Sequence, residues 1–228
     1  MYEAVIFDFN GTLFFDTEKH IEAWKSYAEQ IIGRPLKDEE NAAIMGRSNQ
    51  YILKYLLKRM PTDAETEKMG EEKEAVYRRL CVDDPKTFHL APGAADFLDN
   101  LKAANISISI ATSSPLSNID FYFDKMSIGK WFDTKSVTYD NGTIKGKPEP
   151  DIYIATMQKL DIPPEKAVVF EDSLSGIQAA HRAGAGKIIA VASSNSREVL
   201  MSQDGVSDVI GDYTEINVSA FKKLFNSK

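Results

Sequence analysis

Four short stretches place groups able to do chemistry directly after apolar runs or turns. They are Asp8 and Asn10 in VIFDFNGTL, Thr112 with Ser113 and Ser114 in ISISIATSS, Lys147 in KGKPEP, and Glu171 with Asp172 in AVVFED. Each alone is ordinary, since an acid after a strand is commonly a solvated turn or a helix cap. Together they describe one site. Three carboxylates, a hydroxyl and a lysine converging on one edge crowd like charges unless a cation sits among them. Mg²⁺ takes about six oxygen ligands, and Asp8 and Asp172 supply two, with the backbone carbonyl of Asn10 as a third. Glu171 would then hold a coordinated water. The other oxygen of Asp8 would then be free to attack phosphorus, so the expected chemistry is metal-assisted phosphoryl transfer through an aspartyl-phosphate. Thr112 and Lys147 neutralise and orient the transferring oxygens, aided by backbone donors around Gly11 and Thr12. Lys147 also keeps Asp8 and Asp172 from repelling each other.

These positions need a scaffold that brings them together. AVIFDF, residues 4–9, is an apolar run suited to a buried strand and is ended by Gly11 and Thr12. Residues 18–32 place Ile21, Trp24, Ala28 and Ile31 at spacings of three and four, one apolar helix face. Helical signal continues over 48–59 and over 63–80, the latter opened by the capping box Thr62-Asp63-Ala64-Glu65. No strand is expected between residues 16 and 84. After His89 the rhythm changes to alternating helix and buried strand. Helices are expected at 94–103, 116–126, 150–160 and 174–183, and strands at 106–112, near 136–139, at 167–172 and at 187–192. A short helix at 196–202, a strand at 208–210 and a helix at 217–225 follow. Repeated strand-helix units predict a doubly wound parallel sheet covered on both faces, and the first strand must join that sheet. The expected division is an α/β core of residues 1–15 and 85–228 and an inserted all-helical domain of residues 16–84. In such a sheet, ligands collect at the carboxyl ends of the strands, where the four stretches fall.

The bulk properties narrow the classes of function. A chain of 228 residues, 43% hydrophobic and 27% charged, is ordinary for a globular protein with a sizeable core. A formal net charge of −7 argues against a nucleic-acid partner, because phosphate backbones are gripped by concentrated Lys and Arg. A small anionic substrate is compatible with it. Cys81 is the only cysteine, so no internal disulfide forms and a reducing compartment is expected. The start MYEAVIFDFNG lacks a basic region followed by an apolar targeting segment, and no run approaches the ~18 apolar residues of a membrane span. The expectation is a cytoplasmic monomer with no membrane partner.

DFNGTLFFDTE, IATSS, KGKPEPDIY and FEDSLSGIQAAHRAG, taken in that order, resemble the motifs of the haloacid dehalogenase-like hydrolase superfamily. The likeness is strongest to the branch with beta-phosphoglucomutases and small phosphosugar phosphatases. It implies a Rossmann-like core and a helical cap that closes over the site. It also implies Mg²⁺ as cofactor and a small phosphorylated metabolite, a phosphosugar first, as substrate. Carried over by position, Asp8 is nucleophile and metal ligand, the Asn10 backbone a metal ligand, Thr112 and Lys147 phosphate-binding groups, and Glu171 and Asp172 the acidic pair at the metal. Gly11, Thr12, Ser113 and Ser114 are expected substrate contacts, with His20 and Arg47 from the cap. His20 lies near the first hinge, where gating or proton movement is its candidate role.

The departure from the pattern is Asn10. Phosphate-transferring members of the superfamily place a second Asp two residues after the nucleophile, which protonates the leaving oxygen and then activates water. An amide does neither. Three accounts of Asn10 stay open: a variant disabled to trap a complex, a natural member that works slowly, recruits another base or has a noncatalytic role, and chemistry other than ester cleavage. The cap segment IMGRSNQ, residues 44–50, resembles a substrate loop of phosphosugar mutases, which have an arginine where this chain has Asn49. Arg47 stands two positions away, which favours a phosphatase over a mutase.

Overall fold

The computed structural model describes residues 1–44, 47 and 49–225. It divides into two compact units, one of Met1–Phe15 with Leu90–Lys228 and one of Asp16–His89.

The first unit is an α/β layer structure built on six parallel strands. These are β1 (Ala4–Phe7), β2 (Ser107–Pro115), β3 (Thr138–Asp140), β4 (Ala167–Glu171), β5 (Lys187–Val191) and β6 (Val206–Ile210). Their order across the sheet is β3-β2-β1-β4-β5-β6. The chain therefore runs outward from β1 in one direction and returns to run outward in the other, which puts the topological switch beside β1. Apolar residues occupy both faces of the central strands because helices cover both. On one face Ile6, Val169 and Ile188 pack with Ile152, Met157 and Ile177 of the helices α7 (Asp151–Lys159) and α8 (Leu174–Arg182). One residue further along, on the opposite face by the alternation of strand side chains, Phe7 stacks on Phe170 with centroids 5.1 Å apart. Phe97 of α5 (Ala94–Ala103) meets both rings edge-on. Tyr213 and Phe221 join the same aromatic layer.

The described residues of the second unit form four helices, α1 (Thr17–Ile32), α2 (Asp38–Ile44), α3 (Asn49–Leu57) and α4 (Asp63–Asp83). Among its described residues no strand occurs. Its core is Trp24, Tyr27, Ala28, Ile52, Leu53 and Leu56, the apolar stripes of α1 and α3. Gly33 ends α1 with φ of 70°, a left-handed turn that glycine adopts without steric cost. The expected capping box opens α4: Thr62 accepts from the Glu65 N–H, and the Glu65 carboxylate accepts from the Thr62 N–H. The helix α2 is an addition to the expected elements. Its two turns, DEENAAI, carry too few apolar positions to show a period. The first residue of the expected helix 48–59 lies outside the described residues, as do residues 45 and 46 of the IMGRSNQ segment.

Candidate active site

Strand register assembles the site. Phe7 lies opposite Ile110 of β2 and Phe170 of β4, so the next positions, Asp8, Ala111 and Glu171, emerge at one level of the carboxyl edge. The Asp8 N–H donates to the Phe170 carbonyl at 3.0 Å, extending the ladder by one residue. The segment after β3 delivers Lys147 across this edge. Its ammonium lies 2.6 Å from Asp8 Oδ1 and 2.5 Å from Glu171 Oε1, and its side chain is only 6% exposed. Burial opposes the charge on Lys147, but the carboxylates of Asp8 and Glu171 outweigh it and hold the ammonium above its ordinary value.

Glu171 is fixed at both oxygens. Oε1 also accepts from the Tyr153 hydroxyl at 3.1 Å, while Oε2 accepts from the Ser173 N–H at 2.8 Å and its hydroxyl at 3.0 Å. Asp172 accepts from the Thr12 hydroxyl at 3.1 Å on Oδ1 and from Ser193 at 3.5 Å on Oδ2. Asn195 donates to its backbone carbonyl at 3.2 Å. Burial pushes the Asp172 carboxyl well above the ordinary range, reinforced by the charges of Glu171 and Asp8 and opposed by Thr12 and Lys147. Gly11, at φ of 77°, is required here, since a Cβ would lie 2.2 Å from Asp172 Oδ2.

Asp8, Glu171 and Asp172 are buried and offer carboxylate oxygens within 4.8 Å of one another. Three acids against one ammonium leave surplus negative charge, and the donors are hard oxygens. That set fits a divalent cation of the Mg²⁺ kind.

The structure brings Asn10, Thr112 and Ser114 together on the other side of the β1 end. The Asn10 Nδ2 donates to the Tyr122 hydroxyl at 2.8 Å. Its Oδ1 accepts from Ser114 at 2.7 Å and from Thr112 at 3.4 Å. Ser113, between them, is exposed. The amides expected to face a phosphate make bonds within the loop itself: the Gly11 N–H donates to Phe14 O at 2.7 Å and the Thr12 N–H to Phe9 O at 3.2 Å. Thr12 thus contributes through its hydroxyl on Asp172, and Gly11 through its lack of a side chain.

His20 and Arg47 belong to the helical unit. His20 stacks on Tyr77 with centroids 3.9 Å apart, its Nε2 3.3 Å from Asp16 and its Nδ1 3.3 Å from Lys73 Nζ. Tyr77 donates to the same Asp16 carboxylate. Lys73 is buried, which lowers its pKa against the pull of Glu74, 2.5 Å away. Arg47 is exposed, its guanidinium carbon 5.2 Å from the Tyr51 ring centroid.

Sequence reasoning missed Tyr122, Tyr153, Ser173 and Asn195. Ser173 had a signal, as a serine at the start of a helix next to an acid pair. The two tyrosines had none, because a tyrosine on an apolar helix face reads the same whether or not its hydroxyl is used.

Residues 2–184 match the family model described as haloacid dehalogenase-like hydrolase. The chain belongs to that family. Among relatives of this hydrolase, the phosphorylated carbohydrates phosphatase of Thermotoga maritima is 32% identical over 211 residues, 90% of this chain and 93% of the relative. Beta-phosphoglucomutase of Bacillus subtilis is 32% identical over 188 residues, 80% of each chain. A crystal structure of a HAD hydrolase, family IA, variant 3, from Entamoeba histolytica superposes with a TM-score of 0.90 at 37% identity, covering 97% of this chain and 98% of the other. As a haloacid dehalogenase-like hydrolase, the protein is an enzyme of the phosphatase and phosphotransferase class. Among its described residues no helix is long and apolar enough to cross a membrane.

Proposed function

We propose that the protein is a Mg²⁺-dependent phosphatase of small phosphorylated metabolites, phosphosugars first, with turnover slowed by Asn10. The observation that carries this reading is the buried Asp8–Glu171–Asp172 cluster with Lys147 shared between Asp8 and Glu171. Asp8, Asp172 and the Asn10 carbonyl would hold the cation, with Glu171 behind them. When bound, it would neutralise the clustered carboxylates and the charge on the phosphoryl oxygens. Lys147 pairs with Asp8 Oδ1 and fixes the direction of the carboxylate, which is what a nucleophile needs.

An Asp8 oxygen attacks phosphorus, the bond from phosphorus to the leaving oxygen breaks, and its electron pair departs on that oxygen. A proton must then reach the leaving group, and in the second half water must lose one as it attacks the aspartyl-phosphate. Asn10 stands where both transfers need a titrating group and supplies neither. General acid-base assistance is worth ~10²–10⁴-fold, so this chain turns over slowly, and most slowly with poor leaving groups. The phosphosugar class comes from the likeness to a phosphorylated carbohydrates phosphatase and to a beta-phosphoglucomutase. The second of these also favours phosphosugar mutase as the alternative reading, in which a sugar hydroxyl replaces water as acceptor.

The test is phosphate release from a panel of small phosphate monoesters with Mg²⁺, comparing the protein with Asn10→Asp and with Asp8→Ala as background. The expected outcome is a gain of about 10²-fold or more in Asn10→Asp. An Asn10→Asp protein no faster than Asp8→Ala on any monoester sinks the reading. Transfer of phosphate to added sugar without free phosphate selects the mutase.

A further inference from the structure

Position 10 is held by more than its own chemistry. Both atoms of the Asn10 amide have partners: Nδ2 donates to Tyr122 at 2.8 Å, and Oδ1 accepts from Ser114 at 2.7 Å and Thr112 at 3.4 Å. Thr112 in turn accepts from the Ser114 backbone N–H at 3.1 Å, so its hydroxyl is tied to the chain at Ser114. Tyr122, on α6 (Leu116–Lys125), is fully buried. Its ring stacks on Phe9 at 4.3 Å and meets Phe14 edge-on at 6.3 Å. Phe9 and Phe14 flank the loop that carries Asn10, and the Phe14 carbonyl closes that loop by accepting from Gly11 at 2.7 Å. The hydroxyl of Tyr122 is thereby fixed relative to the backbone of the residue it holds.

We propose that Tyr122, assisted by Ser114, is a positioning residue that clamps the side chain at position 10 and restricts its approach to a substrate oxygen. The proposal rests on the phosphatase reading and adds to it a second constraint, which sets how far a proton-carrying side chain at position 10 can act. A side chain that carries a proton to the leaving oxygen must give up the partners it has. The fraction of molecules in which it has done so multiplies the observed rate. With an amide the clamp has no proton transfer to delay. With a carboxylate, the hydroxyls of Tyr122, Ser114 and Thr112 all turn their protons toward it, and charged hydrogen bonds of this kind hold more tightly than neutral ones. The gain from Asn10→Asp alone is therefore less than the loop could deliver.

The experiment is a cycle of the protein, Asn10→Asp, Tyr122→Phe and the double variant, each with Mg²⁺ and p-nitrophenyl phosphate. Phenylalanine keeps the stacked ring and removes only the hydroxyl. The expected result is a kcat effect of Tyr122→Phe about tenfold larger, in the direction of gain, in the Asn10→Asp background than in the parent, with KM within about twofold. Ser114→Ala shifts kcat in the same direction. A merely structural hydroxyl would lower the thermal midpoint and kcat alike in both backgrounds, and equal effects in the two backgrounds overturn the proposal. A second measurement needs no turnover: in the parent, the Asn10 side-chain NH₂ gives a resolved nuclear magnetic resonance pair in slow exchange with water, and Tyr122→Phe speeds that exchange about tenfold or more. An Asn10 pair in fast exchange in the parent also overturns the clamp. If Asn10→Asp stays at the Asp8→Ala level, the phosphatase reading fails, and the amide exchange still decides the clamp.

Discussion

Asp172 shows how a single carboxyl records the design of this site. It is buried beside Glu171 and Asp8, both acids, and the Lys147 ammonium is divided between those two. With no cation bound, the folded protein relieves the crowding by keeping a proton on Asp172 at pH values where the unfolded chain has released it. A raised folded pKa stabilises the fold fully below the unfolded value, and that contribution is lost as pH rises through the folded value. Without divalent metal, urea midpoints are therefore expected to fall as pH rises from the acid carboxylate range toward neutrality. Asp172→Asn should remove part of that slope, and Mg²⁺ should flatten it in the parent. A parent slope equal to that of Asp172→Asn would show that the proton sits elsewhere.

At the scale of elements, the start of α8 is built around Glu171 rather than around helix propensity. Ser173 caps the helix by accepting from the Gly176 N–H at 3.0 Å, and the same serine holds Glu171 Oε2. Gly176 lies in the first turn, where a Cβ would come 1.6 Å from Glu171 Oε1. On propensity alone, Gly176→Ala should stabilise the helix by ~1 kcal/mol. The contact decides the sign the other way, because that carboxylate is pinned by Lys147, Tyr153 and Ser173 and moves only by breaking charged hydrogen bonds. Gly176→Ala is expected to destabilise the protein by about 1–3 kcal/mol in urea unfolding. A stabilised variant would show that Glu171 is loosely held. By contrast, the capping box of α4 lies wholly within one helix turn, which is why it could be seen in the order of residues.

At the scale of the whole molecule, Cys81 is a reporter placed by the fold. It is the only cysteine, fully buried on α4, and burial pushes its thiol up to about 12. An aromatic disulfide reagent at pH 8 should leave the native protein unlabelled and modify one thiol per chain in denaturant, so labelling follows opening of the helical unit. Rapid native labelling would contradict that packing. The order of helices and strands was legible in the sequence, since apolar period, glycine turns and caps are local signals. So was the placing of Asp8 and Glu171 at strand ends, because each follows an apolar run directly, whereas β2 runs on from Thr112 to Pro115, past the expected end at 112. The helix α2 was not, being too short for a period, nor was the inward bonding of the Gly11 and Thr12 amides, which depends on how the loop closes on Phe9 and Phe14. What the sequence by itself determined is thus the kind of sheet and the acids along its edge. What only the tertiary structure decided is which partner each functional group has. Lys147 meets Asp8 across 139 residues and Glu171 across 24, and Tyr122 meets Asn10 across 112, pairings made by strand register and helix packing and not by any neighbour in the chain.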